Sequence, residues 1–323
     1  METKVLQSFI ATEIEKLPWD MEPQNLYAPI QYVLSLGGKR IRPLTALMAC
    51  ELFSGDIQKA IKPALALEVF HNFTLLHDDI MDRAEVRRGH PCVHVKWNDS
   101  EAILSGDAML IKAYQLLEQC DPAVLPQLLG LFSKTAAEVC DGQQYDIDFE
   151  NRTDVGVEEY IEMIRLKTAV LLAGSLKIGA ICGGASEIDA QYLYEFGIGI
   201  GIAFQLKDDI LDVYGDEKNF GKQIGGDICC NKKTFLLINA LQKAEGEEKE
   251  ELLSWIQKEE FNREEKIAAV TKIYDNLGLR TLTEQKMESY YQQAIEALRK
   301  VNRPEAEKQA FYDLAEKLLY RIS

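Results

Sequence analysis

The chain has 323 residues, of which 47% are hydrophobic and nine are proline, so it can bury a large core and shows no proline-rich linker. Its formal net charge of −16 argues against sequence-independent binding of nucleic acid, because proteins with that function need clustered positive charge. The seven cysteines form no CxxC pair, and neither a signal-peptide pattern nor an apolar run of membrane-spanning length is visible, which predicts a cytoplasmic protein with reduced thiols.

Hydrophobic residues recur at helical spacing along most of the chain, whereas strand-like alternation is scarce. The longest helical patterns lie at 102–120, 157–181 and 306–323. Segments with glycine or proline that predict turns lie at 35–43, 87–91, 141–144 and 215–227. Residues 241–268 are rich in charge and sparse in apolar anchors, which predicts solvent-exposed helices. The whole pattern predicts one all-α domain over residues 1–323, built as a bundle of many helices.

The segments HDDIMD (77–82) and KDDILD (207–212) each follow an apolar helical run and share one spacing of acidic residues. The six carboxylates belong to Asp78, Asp79, Asp82, Asp208, Asp209 and Asp212. Residues three and four apart share a helix face, so the carboxylates of each triplet are expected to be neighbours. Their oxygens suit Mg²⁺ or Mn²⁺, which bind few carboxylates together with phosphate oxygens. Either triplet alone fits a solvated helix end, but the repeated spacing favours two metal sites for a polyphosphate.

Basic residues follow or precede both triplets. They are Lys39, Arg40 and Arg42 in GGKRIRP, Arg87 and Arg88 after the first triplet, and Lys222, Lys232 and Lys233 after the second. Guanidinium and ammonium groups near carboxylates are explained if all of them share an anion. The plain alternative is that these lysines and arginines are solvated surface residues in loops, as most lysines and arginines taken singly are. Their repeated placement beside acidic clusters favours the shared anion.

All four histidines lie between His71 and His94, which raises the alternative of a zinc site. His90 and His94 are four residues apart, but Pro91 disfavours a helix at His90 and no cysteine pair completes a ligand set. The sequence therefore favours magnesium at the aspartates over zinc.

Seven blocks of the sequence occur in the order typical of one protein family. They are GGKRIRP, HNFTLLHDDIMD with RRGHP, SGDAML, DGQQYD, RLKTA, FQLKDDILDVYGD and GKQIGGDICCNKKT. Through these blocks the chain resembles the trans-isoprenyl diphosphate synthases of the polyprenyl synthetase family over nearly its whole length. The resemblance implies the isoprenoid synthase fold, in which many helices surround a central cavity, and a homodimer.

The resemblance also implies a reaction and its site residues. Isopentenyl diphosphate would be condensed with an allylic diphosphate, while the two aspartate triplets hold three Mg²⁺ ions, for which Mn²⁺ can substitute. Implied contacts of the allylic diphosphate are Arg87, Lys167, Lys222 and Lys232. Implied residues of the isopentenyl diphosphate pocket are Lys39, Arg42, His71 and Arg88. Implied catalytic groups are Lys167, Thr168 and Gln205, of which Thr168 and Gln205 match polar groups that stabilise the allylic cation, while Gln143 and Asp146 match a further GQxxD motif.

Phe73 and Thr74 precede Asp78 by five and four residues and are predicted to limit product length. At a rise of about 1.5 Å per residue, Phe73 would lie about 7 Å below the metal end of its helix, where a ring can close the tail cavity. The plain alternative is a core aromatic residue. An aromatic residue followed by a small one resembles the geranylgeranyl-type pattern of the family. Alternatives are a farnesyl product, a longer polyprenyl chain, a class I terpene cyclase, a non-catalytic partner subunit and a purely structural helical protein.

Overall fold

Helices form nearly all of the regular structure, which confirms the all-α fold predicted from the hydrophobic spacing. The structure is a computed structural model that describes residues 3–215 and 224–320. The α-helices are α1 Thr3–Glu15, α2 Gln24–Ser35, α3 Ile41–Ser54, α4 Ile61–Met81, α5 Val93–Lys96, α6 Asp99–Leu117, α7 Leu125–Glu150, α8 Val157–Ile164, α9 Val170–Cys182, α10 Glu187–Tyr214, α11 Gly226–Cys229, α12 Phe235–Lys243, α13 Gly246–Gln257, α14 Arg263–Asn276, α15 Leu279–Lys300 and α16 Glu305–Leu319.

Four short elements of the described residues depart from the α-helical pattern. Residues Ile57–Ala60 form a 3₁₀ turn, and Arg165–Ala169 form a π-helical turn between α8 and α9. The strands β1 (Val86–Arg87) and β2 (His90–Pro91) pair antiparallel, with Val86 opposite Pro91. Within the described ranges, no helix has both the length and the apolar composition that a membrane span requires.

The chain divides into two compact units, of which the first comprises Met1–Lys134 and Gly174–Tyr194. Helix α4 is apolar on nearly all sides and packs against α3 and α6, so it forms the centre of this unit. Buried glutamate and asparagine side chains, Glu68 and Asn72, are exceptions to its apolar composition. Gly106 of α6 lies against the ring of His77, and a Cβ at this position would overlap that ring. This glycine therefore allows α6 to approach the acidic end of α4.

The second unit comprises Thr135–Ala173 and Glu195–Ser323. Its hydrophobic core joins the apolar faces of α12, α14 and the start of α15. Leu236, Leu237, Ile273 and Leu279 are representative, and each is less than a twentieth exposed. This core supports the loop 224–234, which lies between α10 and α12 and contains several residues of the candidate site described below.

One expectation about local structure was wrong. Residues 141–144 do not form a turn but lie inside α7, because Gly142 lets this helix pack directly on the backbone of Lys167. The segment 157–181 is helical throughout, as predicted, but a π-helical turn that was not predicted lies within it. Such turns are rare and often occur at functional sites.

Candidate active site

The first aspartate triplet lies at the carboxyl end of α4, with Asp82 as the residue after its last turn. The carboxylate of Asp79 is 3% exposed and accepts a hydrogen bond from Nε of Arg87 at 2.7 Å. Nη2 of Arg87 lies 2.6 Å from Oδ1 of Asp79 and 3.6 Å from Oδ2 of Asp78. Although burial opposes it, the bond and charge of Asp79 raise the pKa of Arg87. The strand pair that contains Arg87 therefore supplies a fixed positive charge to the first triplet.

A thiol also lies beside this carboxylate. Cys92 is buried, and burial together with the neighbouring charge of Asp79 raises the pKa of its thiol to about 12. The thiol therefore stays protonated at neutral pH and can donate to Asp79 rather than compete with it for cations.

Besides Arg87, the first unit contains a pair of basic side chains, Arg42 and His71, that contact each other. Nη1 of Arg42 donates to Nε2 of His71 at 3.0 Å, so this ring nitrogen accepts and the imidazole is neutral. Burial and the charge of Arg42 lower the pKa of His71 well below its ordinary value, and Arg88, Arg87 and Arg40 add to this effect. Nε of Arg42 is buried without a hydrogen-bond partner among the described residues. A buried guanidinium with an unused donor is suited to bind an anion.

Arg88 approaches the same region from the β1–β2 turn. Its backbone has φ 54°, and its guanidinium donates to the carbonyl oxygen of Gly37. A Cβ on Gly38 would lie 2.9 Å from Cζ of Arg88, and the φ of Gly38 is +129°. The backbone conformation therefore requires glycine at 38, and a side chain there would also displace the guanidinium of Arg88.

A buried ion pair between Arg40 and Glu68 anchors the Lys39–Arg42 segment to α4. Nη1 of Arg40 donates to Oε1 of Glu68 at 2.5 Å, and the two side chains are 8% and 2% exposed. Asn72 donates to the same oxygen at 2.8 Å, and Nη2 of Arg40 donates to the carbonyl oxygen of Leu34. Arg40 is thus a structural anchor, whereas its exposed neighbour Lys39 is available to a ligand.

Replacing Glu68 with glutamine is expected to lower the free energy of unfolding by about 3 kcal/mol, because the guanidinium of Arg40 would remain buried without a counter-charge. Denaturant titration measures this loss. Glu13→Gln, which removes the carboxylate partner of the exposed Lys16 just beyond the end of α1, is the matched control and should cost less than about 1 kcal/mol. Equal losses of unfolding free energy in the two variants would show that the buried ion pair stabilises the protein no more than an exposed one.

A pocket in the second unit contains the second aspartate triplet. It encloses about 590 Å³ of space, part of it open to solvent, and lies over the carboxyl end of α10. Five aspartates line it. Asp146 is paired with lysines, and the other four, which could bind a divalent cation, are Asp208, Asp209, Asp212 and Asp227. Lys167 and Lys232 line it as well, so the pocket combines carboxylates with ammonium groups.

Asp209 is the most buried of these carboxylates, with 3% exposure. Its Oδ2 accepts hydrogen bonds from the phenol of Tyr160 and from the backbone N–H of Phe235 at 3.3 Å. Burial and then the charge of Asp227 raise the pKa of Asp209 to about 7, against the opposing effect of the two donors. In the absence of a cation, this carboxyl group is therefore partly protonated at neutral pH.

The raised pKa of Asp209 predicts how stability depends on pH in chelated protein. Its native pKa exceeds the ordinary value near 4, so the contribution of the protonated form is complete below about pH 4 and is lost between about pH 4 and 7. Asp209→Asn is expected to be more stable than the parent by up to about 4 kcal/mol above pH 7, and equal to it near pH 4. Denaturant titrations in EDTA across this range measure the difference, and a constant difference would contradict the prediction.

Lys167 is held by Asp146 and by the π-helical turn. Its Nζ donates to Oδ2 of Asp146 at 2.6 Å, and Nζ of Lys232 lies 3.8 Å from the same oxygen. Although burial opposes it, Lys232 and Lys167 hold the pKa of Asp146 below its ordinary value. The carboxylate of Asp146 thus keeps two ammonium groups together. In the same turn, Oγ1 of Thr168 donates to Oε1 of Gln205 at 3.3 Å.

The residues present fit a hard divalent cation. The acidic lining of the pocket in the second unit offers oxygen ligands, which Mg²⁺ prefers, and among the described residues no cysteine or histidine lines it. Across residues 3–215 and 224–320, no three acidic, histidine or cysteine side chains form a ready-made ligand cage. This arrangement suits Mg²⁺, which keeps waters and takes part of its coordination from substrate phosphates.

The predicted site residues fall into two groups. The first unit contains Lys39, Arg42, His71, Phe73, Thr74, Asp78, Asp79, Asp82, Arg87 and Arg88. The second unit contains Gln143, Asp146, Lys167, Thr168, Gln205, Asp208, Asp209, Asp212 and Lys232. Gln143 is half-buried on α7 but does not line the pocket of the second unit. Lys222 lies outside the described residues.

The predicted chain-length residues lie on α4 as expected. Phe73 is 9% exposed, and its ring centroid lies 5.6 Å from that of Phe70 and 4.8 Å from that of His77. The hydroxyl of Thr74 donates to the carbonyl oxygen of His71 at 2.8 Å, so this side chain is turned to its own helix.

Sequence reasoning missed Tyr160, Asp227 and Glu68. Asp227 could have been found, because it is an acidic residue in the same block as Lys232 and lines the same pocket. Its backbone N–H donates to Oδ2 of Asp212 at 3.0 Å. Tyr160 and Glu68 gave no signal, since their roles come from partners distant in the chain.

Comparisons with known proteins identify the family of the chain. Residues 23–274 match the model of the family described as Polyprenyl synthetase. The geranylgeranyl diphosphate synthase of Methanosarcina mazei is 43% identical over 244 residues, which cover 75% of each chain. The crystal structure of a geranylgeranyl pyrophosphate synthase superposes with a TM-score of 0.94 at 42% identity and covers 100% of both chains.

A third relative was crystallised with ligands. The structure of geranylgeranyl pyrophosphate synthase from Corynebacterium glutamicum, complexed with isoprenyl diphosphate and magnesium, has a TM-score of 0.87 at 28% identity and covers 99% of this chain and 98% of its own. The family predicted from the ordered sequence blocks is therefore confirmed: the chain belongs to the polyprenyl synthetase family and is a prenyltransferase.

Proposed function

We propose that this prenyltransferase condenses isopentenyl diphosphate with the allylic dimethylallyl, geranyl and farnesyl diphosphates and releases geranylgeranyl diphosphate. The observation that supports this best is the pocket that is lined by five aspartates together with Lys167 and Lys232, because diphosphate and divalent cations together require both kinds of group. The names of the relatives, which include geranylgeranyl diphosphate synthases at 36–43% identity, support the chain length of the product.

The allylic diphosphate is bound by Arg87, Lys167, Lys232 and Lys222 in this proposal. Mg²⁺ ions, three by family resemblance and replaceable by Mn²⁺, would be held by the two aspartate triplets and would supply positive charge to the leaving diphosphate. The arginine and lysine side chains stabilise the same negative charge as the allylic C–O bond breaks. Lys167 and Lys232 are already close together on Asp146, which lowers the cost of ordering them around the diphosphate.

Isopentenyl diphosphate is bound by Lys39, Arg42, His71 and Arg88. The unused Nε of Arg42 and the neutral ring of His71 support this assignment. A neutral imidazole can donate through its other ring nitrogen without placing a further charge beside the arginines. The glycine turn at 37–38 brings Arg88 into the same group of residues.

Thr168 and Gln205 are proposed to lie beside the allylic cation. Their hydrogen bond to each other leaves carbonyl and hydroxyl dipoles available to stabilise positive charge, and neither group is a strong nucleophile that would trap the cation. The double bond of isopentenyl diphosphate then attacks the cation, and the released diphosphate takes the proton in the final elimination. The apolar residues of α4 before Asp78 exclude water, which would quench the cation.

Three further statements belong to the proposal: the protein is a homodimer, by family resemblance alone; it is cytoplasmic, as the unpaired cysteines predict; and residues 1–323 form one isoprenyl diphosphate synthase domain. The family match supports the last, because residues 23–274 include segments of both compact units.

The test uses purified protein, Mg²⁺ and isopentenyl diphosphate with each allylic primer in turn, and product length is read by mass spectrometry. The proposal predicts consumption of isopentenyl diphosphate and a C20 product from every primer. A C15 end product would make the protein a farnesyl diphosphate synthase. An allylic diphosphate cyclised without isopentenyl diphosphate would indicate a terpene cyclase, and no turnover at all would contradict the proposal.

A further inference from the structure

Tyr160 is a fully buried tyrosine whose hydroxyl contacts the second aspartate triplet. It lies on α8 with 2% exposure, and its phenol donates to Oδ2 of Asp209. A phenol has a single proton to donate, and here it is directed to this carboxylate oxygen.

A second donor reaches the same oxygen from another element. The backbone N–H of Phe235, the first residue of α12, lies 3.3 Å from Oδ2 of Asp209. The first N–H groups of a helix have no partner within the helix and attract negative charge. Asp209 is thus fixed by a side chain of α8 and by the amino end of α12.

Both donors are directed to one oxygen of the carboxylate. Among the described residues, no hydrogen bond is made to Oδ1 of Asp209. The Oδ2 atom of the neighbouring Asp212 also accepts a backbone N–H, that of Asp227, at 3.0 Å. At Asp209 the protein thus holds one carboxylate oxygen and thereby orients the other.

We propose that Tyr160 is a positioning residue that holds Oδ2 of Asp209, so that the carboxylate presents Oδ1 alone to a divalent cation. This inference rests on the proposed function, in which Asp209 binds the cation. Hydrogen bonds to ligating carboxylates fix their orientation, and their loss commonly weakens metal binding by about 10- to 100-fold. Since α8 continues directly into the turn with Lys167 and Thr168, Tyr160 also fixes the distance between this carboxylate and the proposed diphosphate contacts.

The first test measures binding of Mn²⁺ by electron paramagnetic resonance, with Mn²⁺ alone and with Mn²⁺ plus inorganic diphosphate. Tyr160→Phe removes only the hydroxyl and is expected to weaken Mn²⁺ binding by about 10-fold or more. The same change should lower kcat while KM for isopentenyl diphosphate stays constant. Tyr312→Phe is the matched control, because it removes a hydroxyl that donates to the surface carboxylate of Glu305 at 2.9 Å, and it should leave Mn²⁺ binding unchanged.

A double-variant cycle separates positioning from a general effect on the fold. If Tyr160 acts through Asp209, adding Tyr160→Phe to Asp209→Asn should cause no further loss of Mn²⁺ binding. Additive losses in the double variant, or parental Mn²⁺ binding in Tyr160→Phe, would overturn the inference. Failure of the parent protein to turn over isopentenyl diphosphate would overturn the proposed function together with the inference, whereas an active parent with unaltered Tyr160→Phe would overturn the inference alone.

Discussion

Asp79→Asn is expected to reduce turnover about a thousandfold, the size of effect seen when a preorganised charge-stabilising group is removed from an active site. The change keeps the shape of the side chain but removes a carboxylate from the first triplet. It also removes the charge that holds the guanidinium of Arg87 at 2.6 Å, so one substitution disturbs both the cation site and a proposed diphosphate contact. Initial rates of isopentenyl diphosphate incorporation at saturating Mg²⁺ measure the effect.

Asp20→Asn provides the matched control, because it removes the same charge from an exposed position outside the regular helices. It should leave turnover within about twofold of the parent, as most exposed substitutions do. Thermal unfolding of Asp79→Asn in EDTA shows whether the variant is folded. A folded Asp79→Asn protein with parental turnover would exclude the first triplet from the active site.

Phe73→Ala is expected to shift the main product beyond 20 carbons, because it removes the ring proposed to close the prenyl cavity. The ring is 9% exposed and is braced by His77, whose Nε2 lies 3.1 Å from the carbonyl oxygen of Ile103. Each added isoprene unit needs space below the first triplet, and a methyl group leaves that space open. Mass spectrometry of products formed from farnesyl diphosphate and excess isopentenyl diphosphate measures the change.

Phe70→Ala separates chain-length control from loss of packing. Phe70 lies on the same helix, is 1% exposed and packs edge-on against Phe132 at 5.3 Å. Both substitutions are expected to lower the free energy of unfolding by about 3 kcal/mol, as truncation of core aromatic residues commonly does. Only Phe73→Ala should lengthen the product. If both variants kept a C20 product, Phe73 would be a core residue without a role in product length.

The sequence predicted the fold class well but not the local exceptions. Apolar residues at helical spacing indicate helices such as α6 and α16 whatever their neighbours are. The π-helical turn at Arg165–Ala169 was not predictable, because it inserts one residue into a helix without changing its composition. Gly142 was misinterpreted as a turn for a related reason: its lack of a side chain serves a contact with Lys167, which is distant in sequence.

Charge composition was a weaker guide to burial. The segment 241–268 was expected to lie on the surface, yet Lys266 is 0% exposed. Its Nζ donates to Oδ1 of Asn231 at 2.8 Å and to the carbonyl oxygen of Cys229 at 3.3 Å, so it braces the loop that contains Lys232. Burial of a lysine depends on acceptors supplied by the fold, and those acceptors cannot be identified from composition.

The sequence indicated the charged residues of the candidate site but not the groups that hold them. Acidic triplets and basic clusters have a visible spacing, whereas the partners of Asp209 and Arg40 are single residues on other helices. Tyr160 is ordinary in its local sequence, and its position becomes informative only when α8 and α10 are seen to place its hydroxyl against Asp209. Supporting residues of this kind require the three-dimensional structure.

The pairing of Arg87 with Asp79 and of Lys167 with Asp146 has a consequence for competition among cellular anions. Because both cations already have a carboxylate partner, inorganic phosphate must displace that partner to bind, and it recovers little electrostatic energy by doing so. In the proposed function, a diphosphate that arrives with divalent cations offers phosphate oxygens to Arg87 and Lys167, while Asp79 gains a cation in place of its guanidinium partner. The pairs would then discriminate against abundant small anions and couple substrate loading to the free magnesium concentration.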